Sequence, residues 1–197
     1  MTLEVFTDLS SLSGVWLEDA LCALPQWRRE KALCYHFERD RILCTKSYLM
    51  LRGILERDFG IISDEPWSYN PYGKPYLASH PDIYFSISHC PKGVACVVSK
   101  ESVGIDIESI RPYDPDVAKA VMNEGELSEI EAAESHAKHF TELWTRKESY
   151  LKLHGQGIGQ NLKTLFTEEF KPEDYTFDSS TYEQCIVTIC RKIMIND

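Results

Sequence analysis

A mixed α+β fold is what this chain of 197 residues predicts. Apolar residues recur at helical spacing from about Arg28 to Asp58, through Leu33, Phe37, Cys44, Tyr48, Leu51 and Leu55, and a second long helix is expected over about Ala137 to His154. Between them Ile83, Phe85 and Ile87 alternate with Tyr84, Ser86 and Ser88, the period of a strand. Element order and charge both change near Lys100, which divides the chain into an N-terminal half, 1–100, and a C-terminal half, 101–197.

In chain order, the first helical pattern follows Pro25 and is expected to break near Asp40. Residues 62–80 hold Pro66, Pro71, Gly73 and Pro75 among aromatics, the composition of an ordered loop. The strand at 83–88 turns through Cys90 to Gly93 into a more buried strand, Gly93 to Ser99, so a hairpin is expected. Ser102 to Ile107 reads as another strand, and two polar helices are expected over Asp116 to Met122 and Glu126 to Ser135. The helix at 137–154 ends at Gly155, Gly157 and Gly159, which stop it and turn the chain. Strand character returns at Cys185 to Cys190 and continues toward Ile195.

Composition excludes several classes of function. With 21 basic and 31 acidic residues the net charge is -10, unsuited to a nucleic-acid binder that depends on neutralising phosphates. Residues 28–57 reverse that sign locally, through Arg28, Arg29, Lys31, Arg39, Arg41, Lys46, Arg52 and Arg57. Seven cysteines without a C-x-x-C pair read as small hydrophobes in a reducing compartment. No basic, then apolar, leader and no spanning apolar run is evident, so the expected location is cytoplasmic, with no membrane partner.

Three groups of residues carry chemistry. In Gly104-Ile105-Asp106-Ile107-Glu108 the strand period puts both carboxylates on one face, an arrangement suited to a hard cation such as Mg²⁺. On the long helix, Phe140, Trp144, Glu148 and Lys152 follow at steps of four. As an exposed pair, Glu148 and Lys152 stabilise a helix by roughly 0.2–0.5 kcal/mol, but a carboxylate in line with two large aromatics calls for a compensating cation. Asp106, Glu108 and Glu148 are therefore expected to converge on one metal, with Lys152 one turn away to meet a phosphate. Ser88 and His89, at the end of the first strand, offer a hydroxyl and an imidazole to the same anion. Neither G-x-S-x-G, G-x-G-x-x-G nor a P-loop is present.

In order along the chain, Arg28 to Lys31, Gly73-Lys74-Pro75, Ile87-Ser88-His89, Gly104-Ile105-Asp106-Ile107-Glu108 and Trp144 to Lys152 resemble the motifs of the 4'-phosphopantetheinyl transferase superfamily. The likeness is to its double-length, surfactin-synthetase-activating type. The resemblance implies a pseudodimer of two similar α+β halves with the active site in the cleft between them. It implies transfer of 4'-phosphopantetheine from coenzyme A to a serine hydroxyl of an apo acyl, polyketide or peptidyl carrier protein, with release of 3',5'-adenosine bisphosphate. By the same resemblance Asp106, Glu108 and Glu148 match magnesium ligands. Lys152 matches a pyrophosphate contact, and His89 a phosphate contact. Lys74, Arg28 and Lys31 match contacts near the adenosine 3'-phosphate. Glu148, Lys152 and His89 are the expected catalytic residues, and the chain is expected to be monomeric. At Leu43 and Cys44 the chain departs from the family's Arg and small hydroxyl residue, so those contacts are either absent or supplied by Lys46 or Arg41. Residue chemistry alone leaves open a magnesium-dependent hydrolase of a nucleotide or pyrophosphate compound, and a noncatalytic binding protein.

Overall fold

The computed structural model describes residues 1–12, 14–155, 162–167 and 170–193. The first half contains β1 (Thr2–Phe6), α1 (Gly14–Cys22), α2 (Gln26–Leu33), α3 (Glu38–Phe59), the short β2 (Ser68–Tyr69) and β3 (Pro75–Tyr76), β4 (Tyr84–Cys90) and β5 (Gly93–Ser99). The second contains β6 (Val103–Ser109), α4 (Pro115–Val121), α5 (Glu124–Ala132), α6 (His136–His154), β7 (Tyr175–Tyr182) and β8 (Cys185–Lys192).

Each half builds a three-stranded antiparallel sheet, ordered β1-β5-β4 in the first and β6-β8-β7 in the second. In both, the first strand lies at one edge, the hairpin's second strand takes the centre, and a long helix intervenes in sequence between the first strand and the hairpin. On one face of the first sheet, Phe85, Val94, Cys96 and Val98 pack against Leu43, Met50, Leu51 and Ile54 of α3. On the other face, Ala95 and Val97 meet Ile105, Ile107, Val187 and Ile189 of the second sheet. Covered on both faces, β5 is buried along its whole length, which explains its nearly unbroken apolar sequence. Alternation places Gly104, Asp106 and Glu108 on the opposite face of β6 from Ile105 and Ile107, toward α6.

The structure moves some expected boundaries. The break between the first helices falls at residues 34–37, and Asp40 lies with Glu38 in the first turn of α3, where acidic groups favour the helix N-terminus. Neither β1 nor α1 was anticipated from local pattern; β1 is a strand because its five residues pair with β5, Thr2 opposite Val98 through Phe6 opposite Val94. The exposed edge strand β7 was also absent from the expectation, since its middle is polar: Asp178, Ser179, Ser180 and Thr181 face solvent. Gly155 does close α6, in the left-handed conformation at φ +65° with its N–H donating to the Leu151 carbonyl. Gly157, Gly159 and Ile195 lie outside the described residues.

Among the described glycines, the tightest surroundings are at Gly104, where the backbones of β6 and α6 meet. A Cβ placed on Gly104 would stand 2.0 Å from the Ser149 carbonyl oxygen and 2.4 Å from the Leu153 nitrogen, both backbone atoms of the helix. Gly104→Ala is therefore expected to lift α6 from the sheet and cost about 3 kcal/mol or more, measured as a lower urea midpoint.

Candidate active site

Two halves meet where the edge of β4 lies beside β6. The Ile105 N–H, which points away from β8, donates to Ser86 Oγ at 3.1 Å, and Ser88 Oγ donates to Asp106 Oδ1 at 2.6 Å. From α6, Lys152 Nζ donates to the same Asp106 oxygen at 2.6 Å and to Ser88 Oγ at 2.7 Å. Lys152 thus pairs with Asp106 and makes no exposed ion pair with Glu148. One turn earlier on α6, Glu148 is only 6% exposed, and its Oε1 is buried without a hydrogen-bond partner. Burial raises the Glu148 pKa; Lys152 opposes the rise and the Asp106 charge adds to it.

Asp106, Glu148 and Lys152 are thereby brought together, whereas Glu108, on the same face of β6, turns its carboxylate to Ser109 and Arg111. Its Oε1 accepts from the Ser109 N–H at 2.7 Å, the Ser109 hydroxyl at 2.9 Å and Arg111 at 3.1 Å, beside a neighbouring hollow lined by Phe140 and Trp144. Among the described residues no three His, Cys, Asp or Glu side chains form a group able to hold a metal ion as they stand.

Beside this cluster lies a cavity of about 350 Å³, with Arg28, Cys44 and Trp67 on one wall, Glu148, Leu151 and Lys152 on the other, and Lys74 and His89 between. His89 projects from the opposite face of β4 to Ser88 and remains exposed; desolvation in the cleft and the Lys152 charge lower its pKa. Ser88 itself serves Asp106 and Lys152 and does not line the cavity. Arg28 is buried, with Nη2 donating to the Cys44 carbonyl at 2.9 Å. Lys31 lies over the Tyr35 ring, 5.9 Å from its centroid, and does not line the cavity. Nor do Lys46, over the Phe6 ring at 3.9 Å, and Arg41, which donates to the Tyr35 carbonyl at 2.8 Å.

Lys74 has a role that motif reading does not contain. Its Nζ donates to the Leu153 carbonyl at 3.0 Å and the Val103 carbonyl at 3.3 Å, and burial pulls its pKa down to about 8. Asn70 joins it, giving Nδ2 to the Gly155 carbonyl at 2.9 Å while its Oδ1 accepts the Lys74 N–H at 2.8 Å. Together they satisfy the carbonyls at the negative end of α6.

A second missed pair is Lys147 and Glu126. Lys147 is fully buried; its Nζ meets Glu126 Oε2 at 2.7 Å, the Leu162 carbonyl at 2.7 Å and the Val121 carbonyl at 3.0 Å. The pair ties α5 to the helix residue next to Glu148. Asn123-x-x-Glu126, a capping box in the structure, was the available sequence signal for Glu126.

Comparison with known proteins shows the family. The model of the 4'-phosphopantetheinyl transferase superfamily matches residues 102–188. The 4'-phosphopantetheinyl transferase AcpT of Salmonella typhimurium is 34% identical over 162 residues, 79% of this chain and 76% of that protein. The 4'-phosphopantetheinyl transferase Sfp of Bacillus subtilis is 31% identical over 141 residues, 70% of this chain and 63% of its own length. A further Bacillus subtilis transferase is 29% identical, with 74% of this chain and 66% of that protein covered. This chain belongs to the 4'-phosphopantetheinyl transferase superfamily. It spans somewhat less than two thirds of the two Bacillus subtilis relatives.

Two tests follow from the buried charges. Glu126→Ala leaves Lys147 buried without its acid and is expected to cost about 3–5 kcal/mol in denaturant unfolding. For Glu148, a folded pKa above the unfolded one means the native state holds the extra proton between those two values, so stability falls as pH rises through that window. Glu148→Gln should accordingly raise the thermal midpoint of the metal-free protein above that window and leave it nearly unchanged below pH about 4.

Proposed function

We propose that the protein transfers 4'-phosphopantetheine from coenzyme A to a serine hydroxyl of an apo acyl, polyketide or peptidyl carrier protein, releasing 3',5'-adenosine bisphosphate. The observation that carries this reading is the cavity between the halves, lined by Arg28, His89, Lys152 and the buried Glu148, with Asp106 paired to Lys152 beside it. We read the repeated strand order as a pseudodimer, with residues 1–100 binding coenzyme A and carrier, and 101–197 carrying the catalytic helix.

Magnesium suits this donor set. The partnerless buried oxygen of Glu148, beside a second carboxylate, lacks the counter-charge that a hard cation provides. Asp106, Glu108 and Glu148 would hold it, with Glu108 exchanging Arg111 for the metal, and it would supply charge neutralisation at the pyrophosphate. Lys152 donates to the phosphoryl oxygens on which charge accumulates, and His89 binds the same anion from the β4 side. Glu148, on the cavity wall, is the acceptor this chain offers for the serine proton. Positioning by the cleft contributes the remainder, as phosphoryl transfer requires little covalent help from the protein.

No described helix is long and apolar enough to cross a membrane, and we propose a cytoplasmic monomer. Against a net charge of -10, an acidic carrier would dock through the locally basic surface of residues 28–57.

Incubation with coenzyme A, Mg²⁺ and several apo carriers, read by intact mass, tests the reaction. Added mass on a carrier is expected; adenosine bisphosphate released without carrier modification would establish hydrolysis instead. Lys152→Ala should lower turnover about 100-fold or more at saturating coenzyme A, measured per folded molecule by circular dichroism because the change also leaves the buried Asp106 without its cation. Near-normal turnover would remove Lys152 from the phosphate contacts.

A further inference from the structure

Within the basic segment of the first half, Arg28 is the cation that reaches the cavity, and its surroundings are unusual for a buried charge. Among the described residues no carboxylate forms an ion pair with it, its Nε has no hydrogen-bond partner, and its Nη2 donates to the Cys44 carbonyl. Aromatic faces take the place of an acid. The guanidinium carbon lies 4.6 Å from the Trp67 ring centroid, 5.5 Å from Tyr48 and 6.0 Å from Trp27.

That difference matters electrostatically. A carboxylate would hold the guanidinium and cancel its charge, whereas π faces hold it through their quadrupoles and leave the net charge intact. The rings are themselves anchored: Trp67 packs at 5.3 Å on the buried Phe85 of β4, and Trp27 Nε1 donates to the Asp64 carbonyl at 2.8 Å. The counter-ion of Arg28 must then arrive with the ligand. We infer that Trp67, with Tyr48, is a positioning residue that fixes Arg28, without neutralising it, for the terminal phosphate monoester of the bound cofactor.

This inference rests on the reading of coenzyme A as co-substrate, and the test separates the two. Titration calorimetry with coenzyme A and with 3'-dephospho-coenzyme A gives a selectivity ratio for each variant. The parent is expected to prefer the phosphorylated ligand by about tenfold to hundredfold, and Arg28→Ala to bring the ratio close to unity. Trp67→Met, which keeps apolar bulk but no π face, should lower the ratio at least about fivefold while dephospho-coenzyme A binds nearly as before; Trp67→Phe should retain most of it. Loss of affinity for both ligands in equal proportion would make Trp67 a wall of the pocket and overturn the inference, as would an unchanged ratio in Trp67→Met. A parent that binds neither ligand would overturn the reading of the co-substrate, and the inference with it. A parent that binds both equally overturns the inference alone. If Trp67→Met fails to fold by circular dichroism, Tyr48→Leu, which removes the facing ring, carries the same expectation and the same refutation.

Discussion

The site depends on how closely the backbone of α6 approaches β6 at Gly104. The absence of a Cβ there lets the Ser149 carbonyl and the Leu153 amide lie directly over the strand. Two residues along β6, Asp106 then comes within reach of Lys152, and Glu148 takes its place one turn earlier on the helix. A side chain at Gly104 would separate these groups without altering any of them. Lys74 and Asn70 hold the helix's C-terminal end in that position, and Lys147 with Glu126 holds it from α5.

Burial gives these groups their chemical character. Around Asp106 the charge is balanced by Lys152 and the hydrogen bond from Ser88. Glu148 lies beside that balanced pair with one oxygen unsatisfied, so desolvation makes it more basic than a surface glutamate. Arg28 shows the opposite strategy on the far wall, a buried cation steadied by rings. Beside the Asp106–Lys152 pair, Glu148 and Arg28 therefore line the cavity without an ion-pair partner among the described residues, a distribution that suits a polyanionic ligand with a divalent ion.

Much of this was legible along the chain. The long helices, the β4–β5 hairpin and β6 follow from apolar period, and the pairing of Asp106 with the Glu148–Lys152 helix from residue chemistry and motif order. Strands that depend on distant partners were not legible. β1 is short, its partner lies some ninety residues away, and β7 is largely polar because it is an edge. Nor could spacing tell which member of the basic segment enters the cavity, since helix phase around Trp27 and the fold of residues 62–80 both decide it.

From the sequence alone come the α+β class and the identity of the acidic and basic groups, because period and residue type are local properties. Tertiary structure alone decided what those groups do to each other. It directs Ser88 to Asp106, Lys74 to the carbonyls of α6, Glu108 to Arg111 and Arg28 into a ring cage. The reason is physical: a side chain's partner and its desolvation are set by atoms dozens of residues away, and neither is encoded in its neighbours along the chain.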